Sequence, residues 1–269
     1  MWIEVDGKRS FAATGGKDFD KTKPVILFIH GNACDHTNWS LQTRWFAYHG
    51  WSVLAVDLPG NGRSQGPMPD SIEAMADWIA KLLDALGVQK AALVGHSMGA
   101  LIGLETAARY PGRVTALSLL GFAYPMAVNP DLQALADAGD FKAVALMNDW
   151  MLARKSHIGG NRNPGTWLLG SSLRLNDRAP RAALAQGFRC CNDYRNAENA
   201  AAKIACPVQI LSGARDLMTP ARAAAQFGKL LKAPRIDVLA DCGHLMMHEK
   251  PDETLDALRA FLAAETAVA

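Results

Sequence analysis

The chain has 269 residues, of which 49% are hydrophobic and 20% are charged, and its formal net charge is +2. These values are ordinary for a globular protein with a substantial core, and a near-neutral charge without a long basic run argues against nucleic acid as a partner. No apolar run approaches the ~20 residues that span a bilayer, and the first residues lack a signal-peptide pattern, so we expect a cytoplasmic protein that does not enter a membrane.

Apolar runs of strand length recur along the chain, with helical patterns between them. An Asp-Gly turn at residues 6–7 predicts an opening β-hairpin. The runs that predict further strands lie at residues 25–29, 51–56, 91–94, 114–120, 208–213 and 235–239. Strands that alternate with helices in this way predict an α/β fold with a mostly parallel, doubly wound sheet.

Residues 70–87 carry the clearest helical pattern, because their apolar side chains recur on one face at helical spacing. We predict that Asp70 caps the N-terminus of this helix, with Glu73 reaching back to it as in a capping box. Gly87 suits the C-terminal end, where a residue with positive φ is common.

The pattern changes between residues 124 and 205, where we predict no buried strand. Helix start signals such as Asn129-Pro130 occur there, together with a glycine-rich loop at residues 159–165. We therefore predict an inserted helical cap over residues 124–205 and a core formed by residues 1–123 and 206–269.

A serine occupies the turn between a predicted strand and a predicted helix, in the sequence Gly-His-Ser-Met-Gly at residues 95–99. A turn this tight strains the backbone of Ser97, and Gly95 and Gly99 allow the strand and the helix to approach closely. In this context the Ser97 hydroxyl stands clear of the sheet, and the amide of Met98 points toward an oxyanion held at the serine.

A serine hydroxyl becomes a good nucleophile only when a base removes its proton and a carboxylate orients that base. In a parallel sheet these groups come from loops at the carboxyl ends of strands. Asp216 follows the predicted strand that ends at Gly213, and His244 follows the one that ends near Leu239. The order serine, acid, histidine is the one associated with a serine elbow on an α/β sheet.

Two other residues compete for these roles. His248 lies one helical turn beyond the strand-end loop, and Asp241 is too near His244 along the chain to be its obvious orienting partner. The loop after the preceding strand, residues 121–124, contains no carboxylate. We therefore predict His244 as the base and Asp216 as the acid.

These motifs together resemble the α/β-hydrolase fold superfamily, in its serine-nucleophile branch of esterases and lipases with a helical cap. The resemblance covers nearly the whole chain and rests on His30-Gly31, residues 57–64, residues 95–99, Asp216 and Gly243-His244. It implies that His30-Gly31 begins an oxyanion loop, in which the amide of Asn32 or Ala33 joins that of Met98. We interpret His30 itself as a buried ring that orders this loop.

The serine also separates the chain from some relatives. Haloalkane dehalogenases and soluble epoxide hydrolases resemble this scaffold but carry aspartate where Ser97 stands, so we interpret Asn32, which resembles a halide-binding residue of the dehalogenases, as part of the loop structure. Hydrolases of aromatic ring-fission products usually have a tryptophan soon after the histidine, whereas Leu245 follows His244 here, which weakens that interpretation.

The cap is predicted to set the substrate. We predict a pocket lined by Trp150, Met151 and Trp167 from the cap and by Leu245 after the histidine. An apolar pocket with few charges suits a medium, uncharged acyl or aryl group. Arginines that could bind an acidic substrate, but that we expect to be solvated surface residues, are Arg154, Arg162, Arg174 and Arg189.

The five cysteines are odd in number and lack metal-ligand spacing. The adjacent pair Cys190 and Cys191 forms neither a zinc site nor a C-x-x-C motif, so we expect reduced thiols and no bound metal. The predicted chemistry needs no metal and no organic cofactor.

The sequence thus predicts a serine hydrolase that cleaves carboxylic esters of small to medium apolar substrates through an acyl-enzyme on Ser97. The alternatives are a lactonase, thioesterase or carbon–carbon hydrolase with the same triad, a small-molecule receptor with little turnover, or cofactor-free oxygen chemistry. The expected partner is a small-molecule ester, and the sequence does not indicate an oligomeric state.

Overall fold

The computed structural model describes residues 1–159 and 165–266, and in this part of the chain eight strands form one sheet. The strands are β1 (Trp2–Val5), β2 (Lys8–Ala13), β3 (Val25–Ile29), β4 (Ser52–Val56), β5 (Ala91–His96), β6 (Val114–Leu120), β7 (Val208–Gly213) and β8 (Arg235–Leu239). Their order across the sheet is β1-β2-β4-β3-β5-β6-β7-β8. The pairs β1–β2 and β2–β4 are antiparallel, and all later pairs are parallel, which confirms the predicted fold class.

The helices are α1 (Ser40–Tyr48), α2 (Ile72–Ala85), α3 (Met98–Arg109), α4 (Pro130–Asp137), α5 (Phe141–Met151), α6 (Arg154–His157), α7 (Leu168–Asp177), α8 (Arg181–Asp193), α9 (Ala197–Lys203), α10 (Ala221–Gly228), α11 (Met246–Glu249) and α12 (Pro251–Thr266). Short 3-10 turns span His36–Trp39 and Pro111–Arg113. None of the helices in the described ranges combines the length and the apolar composition needed to cross a bilayer.

The core lies on both faces of the sheet, because side chains alternate between the two faces along each strand. In β3, Leu27 and Ile29 pack with the apolar face of α2 and α3, whereas Ile26 and Phe28 pack with the layer that contains α1 and α12. All five residues of β3 are buried, as expected for a central strand of a doubly wound sheet.

The N-terminus of α2 differs from the sequence prediction. The capping residue is Ser71, whose side chain accepts a hydrogen bond from the N–H of Ala74 at 3.2 Å, and the helix begins at Ile72. Ser71 has the extended backbone that an N-cap residue needs (φ −149°, ψ 159°), and Asp70 lies one residue too early to reach the free N–H groups. Asp70 is therefore not the cap.

Helices α4 to α9 lie between β6 and β7, and no strand lies among them in the described residues. We call this segment, residues 124–205, the helical insertion. Helices α4, α5, α7 and α8 pack on one another, whereas α9 packs against α3 beside the sheet. Ala197 and Ala200 of α9 are fully buried, because small side chains allow this close approach. The extent of the cap, residues 124–205, stays a prediction.

Candidate active site

Ser97 stands at the turn between β5 and α3 in a strained backbone conformation, with φ 55° and ψ −120°. A side chain would not fit at either of the two glycines of this turn, Gly95 and Gly99. A Cβ at Gly95 would lie 2.2 Å from the carbonyl oxygen of Gly99, and a Cβ at Gly99 would lie 2.3 Å from that of Ile29. The turn thus packs directly on the end of β3 and leaves Ser97 half-buried.

Asp216 and His244 meet at the carboxyl ends of β7 and β8. The His244 Nδ1 atom lies 2.8 Å from Oδ2 of Asp216, and both side chains are buried. The backbone N–H of His244 donates to the carbonyl oxygen of Met151 at 2.7 Å. Gly121, at the end of β6, makes room for the imidazole, because a Cβ there would lie 2.9 Å from Cε1 of His244.

The Asp216 carboxylate is held by the residues that follow it. Its Oδ1 accepts the N–H groups of Met218 and Thr219, each at 2.8 Å, and its Oδ2 accepts the Thr219 hydroxyl at 2.7 Å. The same hydroxyl oxygen lies 3.1 Å from Nδ1 of His244. No role for Thr219 was predicted from the sequence. The available signal is Asp216 itself, because an aspartate side chain often accepts the backbone N–H two residues further on and so folds the following residues around its carboxylate.

The loop after β3, residues 30–34, is called the oxyanion loop here. The N–H of Cys34 donates back to the carbonyl oxygen of Gly31 at 3.3 Å, and Ala33 has a positive φ of 55°. No hydrogen bond within the described ranges uses the N–H of Asn32, Ala33 or Met98. A Cβ at Gly31 would lie 3.2 Å from Cβ of Ser97, so the loop backbone lies against the serine.

His30 orders the oxyanion loop. Its Nε2 accepts the N–H of Leu58 at 3.0 Å, and its Nδ1 donates to the carbonyl oxygen of Gly31 at 2.7 Å. Burial lowers the pKa of His30, so the ring is neutral at pH 7, which agrees with one nitrogen acting as acceptor and the other as donor. The ring therefore joins the loop to the segment that follows β4.

His96, the residue before Ser97, binds the backbone of His244. Its Nε2 donates to the carbonyl oxygen of His244 at 3.0 Å, and the two ring centroids are 4.6 Å apart. Burial, with a smaller effect from His244, holds the pKa of His96 well below its ordinary value. A neutral His96 ring carries no positive charge that would repel a protonated His244. No role for His96 was predicted from the sequence.

One group of side chains among the described residues has potential metal-ligand atoms close together: Asp35, His36 and Asp57. These atoms serve the loops. Asp35 accepts the N–H of Thr37, and Asp57 accepts both the N–H and Nδ1 of His36. Asp57 also accepts the N–H of Arg63 at 2.9 Å. The group is accounted for by loop structure.

A cavity of about 330 Å³ opens onto Ser97. Its lining combines the start of the helical insertion, α5, α8 and the segment after Asp216, and contains no charged side chain. The lining residues are Asn32, Ser97, Met126, Ala127, Val128, Asn129, Leu132, Trp150, Phe188, Cys191, Leu217, Met218 and Thr219.

The structure brings one of the four expected pocket residues, Trp150, to this cavity. Met151 is buried beside it and contributes only its carbonyl oxygen, to the N–H of His244. Trp167 lies outside, with its side chain 59% exposed and its indole N–H bonded to the carbonyl oxygen of His157. Leu245 lines a separate cavity of about 140 Å³. Met151, Trp167 and Leu245 are therefore not among the lining residues of this cavity.

Three of the arginines considered for an acidic substrate, Arg154, Arg174 and Arg189, do not line the cavity. Arg154, Arg174 and Arg189 form surface ion pairs with Asp149, Asp177 and Asp137, respectively. Arg162 lies outside the described residues. Cys34 is buried near the site, and burial raises its pKa to about 12, which makes it a poor nucleophile at neutral pH.

The sheet is mostly parallel, and Ser97 stands at a tight strand–turn–helix junction, which is the structural context of the G-x-S-x-G motif on an α/β sheet. Comparison with known proteins agrees: the model of the α/β-hydrolase fold family matches residues 24–251, and the chain belongs to that family. It is 28% identical to the putative carbamate hydrolase RutD of Caulobacter sp. strain K31, over 94% of this chain and 95% of that protein.

Solved structures share the fold over nearly the whole chain. An esterase from Exiguobacterium antarcticum superimposes with a TM-score of 0.84 at 19% identity, covering 98% of this chain and 99% of that one. The enol-lactonase of Burkholderia xenovorans LB400 also gives 0.84, at 20% identity and covering 98% and 100%. At these identities the likeness extends to the fold.

Proposed function

We propose that this protein is a serine hydrolase that cleaves neutral carboxylic esters of small to medium size. The observation that carries the proposal is the buried 2.8 Å contact between His244 and Asp216, with Thr219, which binds both, lining the same cavity as Ser97. A buried imidazole with a carboxylate on Nδ1 leaves Nε2 as the basic atom, which is the arrangement a serine nucleophile needs.

In the proposed reaction, His244 takes the proton of Ser97 as the hydroxyl oxygen attacks the acyl carbon. Asp216 holds the ring and stabilises the imidazolium. The oxyanion would lie between the N–H of Met98 and that of Asn32 or Ala33, which are free to donate. His244 then protonates the leaving alcohol. Water next gives a proton to His244 and attacks the acyl carbon, and His244 returns that proton to Ser97 as the acid leaves.

The cavity supports a neutral substrate. Its lining has no charged side chain to pair with a carboxylate or an ammonium group, and burying an unpaired charge there would be costly. The apolar side chains of the lining suit an aliphatic or aryl group.

The test is hydrolysis of p-nitrophenyl esters from acetate to long acyl chains, by the wild-type protein and by Ser97→Ala. We expect turnover with an optimum at short to medium chains and a loss of roughly 10⁴- to 10⁶-fold in kcat in the variant. Fluorophosphonate labelling of the wild type, absent in Ser97→Ala, gives an independent measure of the nucleophile.

Lactones, thioesters, aryl carbamates and ring-fission products complete the substrate panel, with carbamates included because of the Caulobacter relative. A substrate from this panel preferred over every ester would keep the serine chemistry and change the substrate class. Tight ligand binding without product and without labelling would support a receptor and contradict the proposed hydrolase. Unchanged hydrolysis in Ser97→Ala would exclude Ser97 as the nucleophile.

A further inference from the structure

A chain of buried amide side chains joins the helical insertion to the oxyanion loop. Asn148 on α5 and Asn176 on α7 are both fully buried. The Nδ2 of Asn176 donates to the carbonyl oxygen of Ala33 at 3.0 Å. An asparagine from the insertion therefore binds the backbone of the residue whose N–H is a candidate oxyanion donor.

The orientation of the Asn176 amide is fixed by its neighbours. Its Oδ1 accepts Nδ2 of Asn148 at 3.0 Å and the Ser172 hydroxyl at 3.4 Å. Asn148 is in turn held by a second hydrogen bond from its Nδ2 to the carbonyl oxygen of Val144, at 2.8 Å. Because the oxygen of Asn176 already accepts these bonds, its NH₂ group has to face Ala33.

The neighbouring loop residue is tied to a different helix. The Nδ2 of Asn32 donates to the carbonyl oxygen of Leu184 on α8, at 2.9 Å. Helix α8 approaches this closely only at a glycine, because a Cβ at Gly187 would lie 2.1 Å from Oδ1 of Asn32. The insertion thus holds two successive residues of the oxyanion loop.

The bond to Ala33 acts on a backbone that needs restraint. Ala33 has a positive φ of 55°, which is uncommon for a residue with a Cβ and costs conformational energy. The Ala33 carbonyl and the Cys34 N–H belong to one peptide plane, which is held by the bond from Asn176 and by the turn bond to Gly31. The Gly31 carbonyl shares its peptide plane with the N–H of Asn32, so the turn bond restrains that N–H as well. The Ala33 N–H lies in the plane between these two restrained planes.

Burying an amide side chain costs free energy unless the amide is hydrogen-bonded. An unpaired buried amide costs about 1–3 kcal/mol, and apolar side chains of similar size would pack without that cost. The helices that carry Asn148 and Asn176 also contribute Val144, Met147 and Leu168 to the buried apolar cluster. Their hydrogen bonds lead to the oxyanion loop, which gives the polar pair a positional role.

We infer that Asn176, anchored by Asn148, is a positioning residue that sets the direction of the oxyanion donors in the loop at residues 31–34. The inference rests on the proposed function, since it concerns the donors that stabilise the tetrahedral intermediate. It also assigns the helical insertion a part in catalysis, in addition to its part in lining the pocket.

The test compares Asn176→Ala and Asn148→Ala with Asn196→Ala. Asn196 is a matched control, because its Nδ2 bonds Glu105 at 3.0 and 3.2 Å, on the α9 side and away from the loop. All variants are assayed at a temperature where circular dichroism shows them folded. We expect kcat on the best p-nitrophenyl ester to fall roughly 10- to 100-fold in Asn176→Ala and less in Asn148→Ala, with KM within about twofold.

Two further measurements separate positioning from a general structural defect. The inhibition constant of a trifluoromethyl ketone, which forms an oxyanion on the serine, should rise by the same factor as kcat/KM falls. Binding of the ester to Ser97→Ala should not change when Asn176→Ala is added. Equal losses of kcat in Asn176→Ala and Asn196→Ala, or weakened ester binding in the double variant, would overturn the inference while leaving the hydrolase proposal intact.

If the wild-type protein cleaves no ester, the rate of Ser97 labelling by a fluorophosphonate replaces kcat, because the phosphonyl oxygen needs the same donors. A labelling rate that falls in Asn176→Ala but not in Asn196→Ala would support the inference. Absence of labelling in the wild type would overturn the inference together with the proposed function.

Discussion

At the scale of single residues, hydrogen bonds give the Asp216 carboxylate one orientation. Both oxygens of the Asp216 carboxylate are occupied, by two N–H groups and by the Thr219 hydroxyl, besides the contact to His244. A carboxylate bound in this way cannot rotate, and the imidazole ring that it binds cannot flip to interchange the positions of Nδ1 and Nε2. The sequence predicts the pairing of Asp216 with His244. It does not predict that the turn after Asp216 brings the Thr219 hydroxyl to the carboxylate.

Thr219 offers a test of this arrangement. Thr219→Val removes the hydroxyl but keeps the shape and the N–H bond, and we expect kcat to fall about 3- to 30-fold, because a hydrogen bond to a charged group contributes about 1.5–3 kcal/mol and only part of it bears on the transition state. Thr219→Ser keeps the hydroxyl and should retain most of the activity. Equal kcat values for the valine and serine variants would mean that the hydroxyl does not orient Asp216.

At the scale of elements, the position of Ser97 depends on how closely β5, α3 and β3 approach one another. The closest contacts at the turn are between backbone atoms, so no side chain can move aside to relieve an added methyl group. The geometry of the Ser97 turn is therefore a property of three packed elements, which touch at Gly95 and Gly99.

Gly99→Ala should show this packing constraint directly. The added Cβ would lie 2.3 Å from the carbonyl oxygen of Ile29, and we expect a decrease of about 2 kcal/mol or more in the free energy of unfolding, measured in urea. Gly112→Ala is the matched control, because its Cβ meets no atom within 4 Å and its φ is not positive. The two variants should differ in midpoint, and similar midpoints would contradict the close approach.

The start of α2 gives a second test at this scale. Ser71→Ala removes the hydrogen bond to the N–H of Ala74, and we expect the free energy of unfolding to fall by about 1 kcal/mol. Asp70→Ala, one residue earlier, should change it by less than about 0.5 kcal/mol. The reverse order of effects would support the capping box that the sequence analysis predicted.

At the scale of the whole molecule, the sequence predicts what depends on local pattern and on the rules of parallel sheets. Buried strands appear as apolar runs, and the loops at their carboxyl ends must meet at one edge, which is why Asp216 and His244 could be paired 28 positions apart in the chain. The family resemblance adds the oxyanion loop. These inferences need no knowledge of how helices pack.

The pocket is different, because its lining depends on the packing of the helical insertion on the sheet. Periodicity shows that a helix has an apolar face, but not which neighbour that face meets. Met151 and Trp167 were expected in the cavity, whereas Met126 and Leu217, from segments without a helical pattern, line it. The buried partner of Ala33, Asn176, has no local signal either, since its contact lies 143 positions away in the chain.

Three histidines are held neutral by the fold, which affects the pH dependence of the molecule. Burial is the main cause that lowers the pKa of His30, His96 and His248. The unfolded chain binds protons at these sites at a higher pH than the folded protein does, so acidification favours unfolding. Glu249 acts in the opposite direction, because burial raises its pKa.

His248 allows this effect to be measured at one residue. It is half-buried, its Nε2 donates to Oδ1 of Asn38 at 3.0 Å, and desolvation lowers its pKa from 6.5 to about 4. As the pH falls from 6.5 toward 4, the unfolded state gains a proton that the folded state excludes, so the free energy of unfolding falls by up to about 1.4 kcal/mol per pH unit and about 3 kcal/mol in all.

His248→Gln keeps a donor for Asn38 but cannot be protonated. Urea unfolding of both proteins at several pH values between 4 and 7 should therefore give a shallower loss of stability on acidification for the variant, by up to one proton, with the two curves parallel above pH 7. Parallel curves over the whole range would mean that His248 is protonated in the folded protein or reaches water there. A difference confined to the acid range would show that the lowered pKa of His248 accounts for part of the decrease in the free energy of unfolding on acidification.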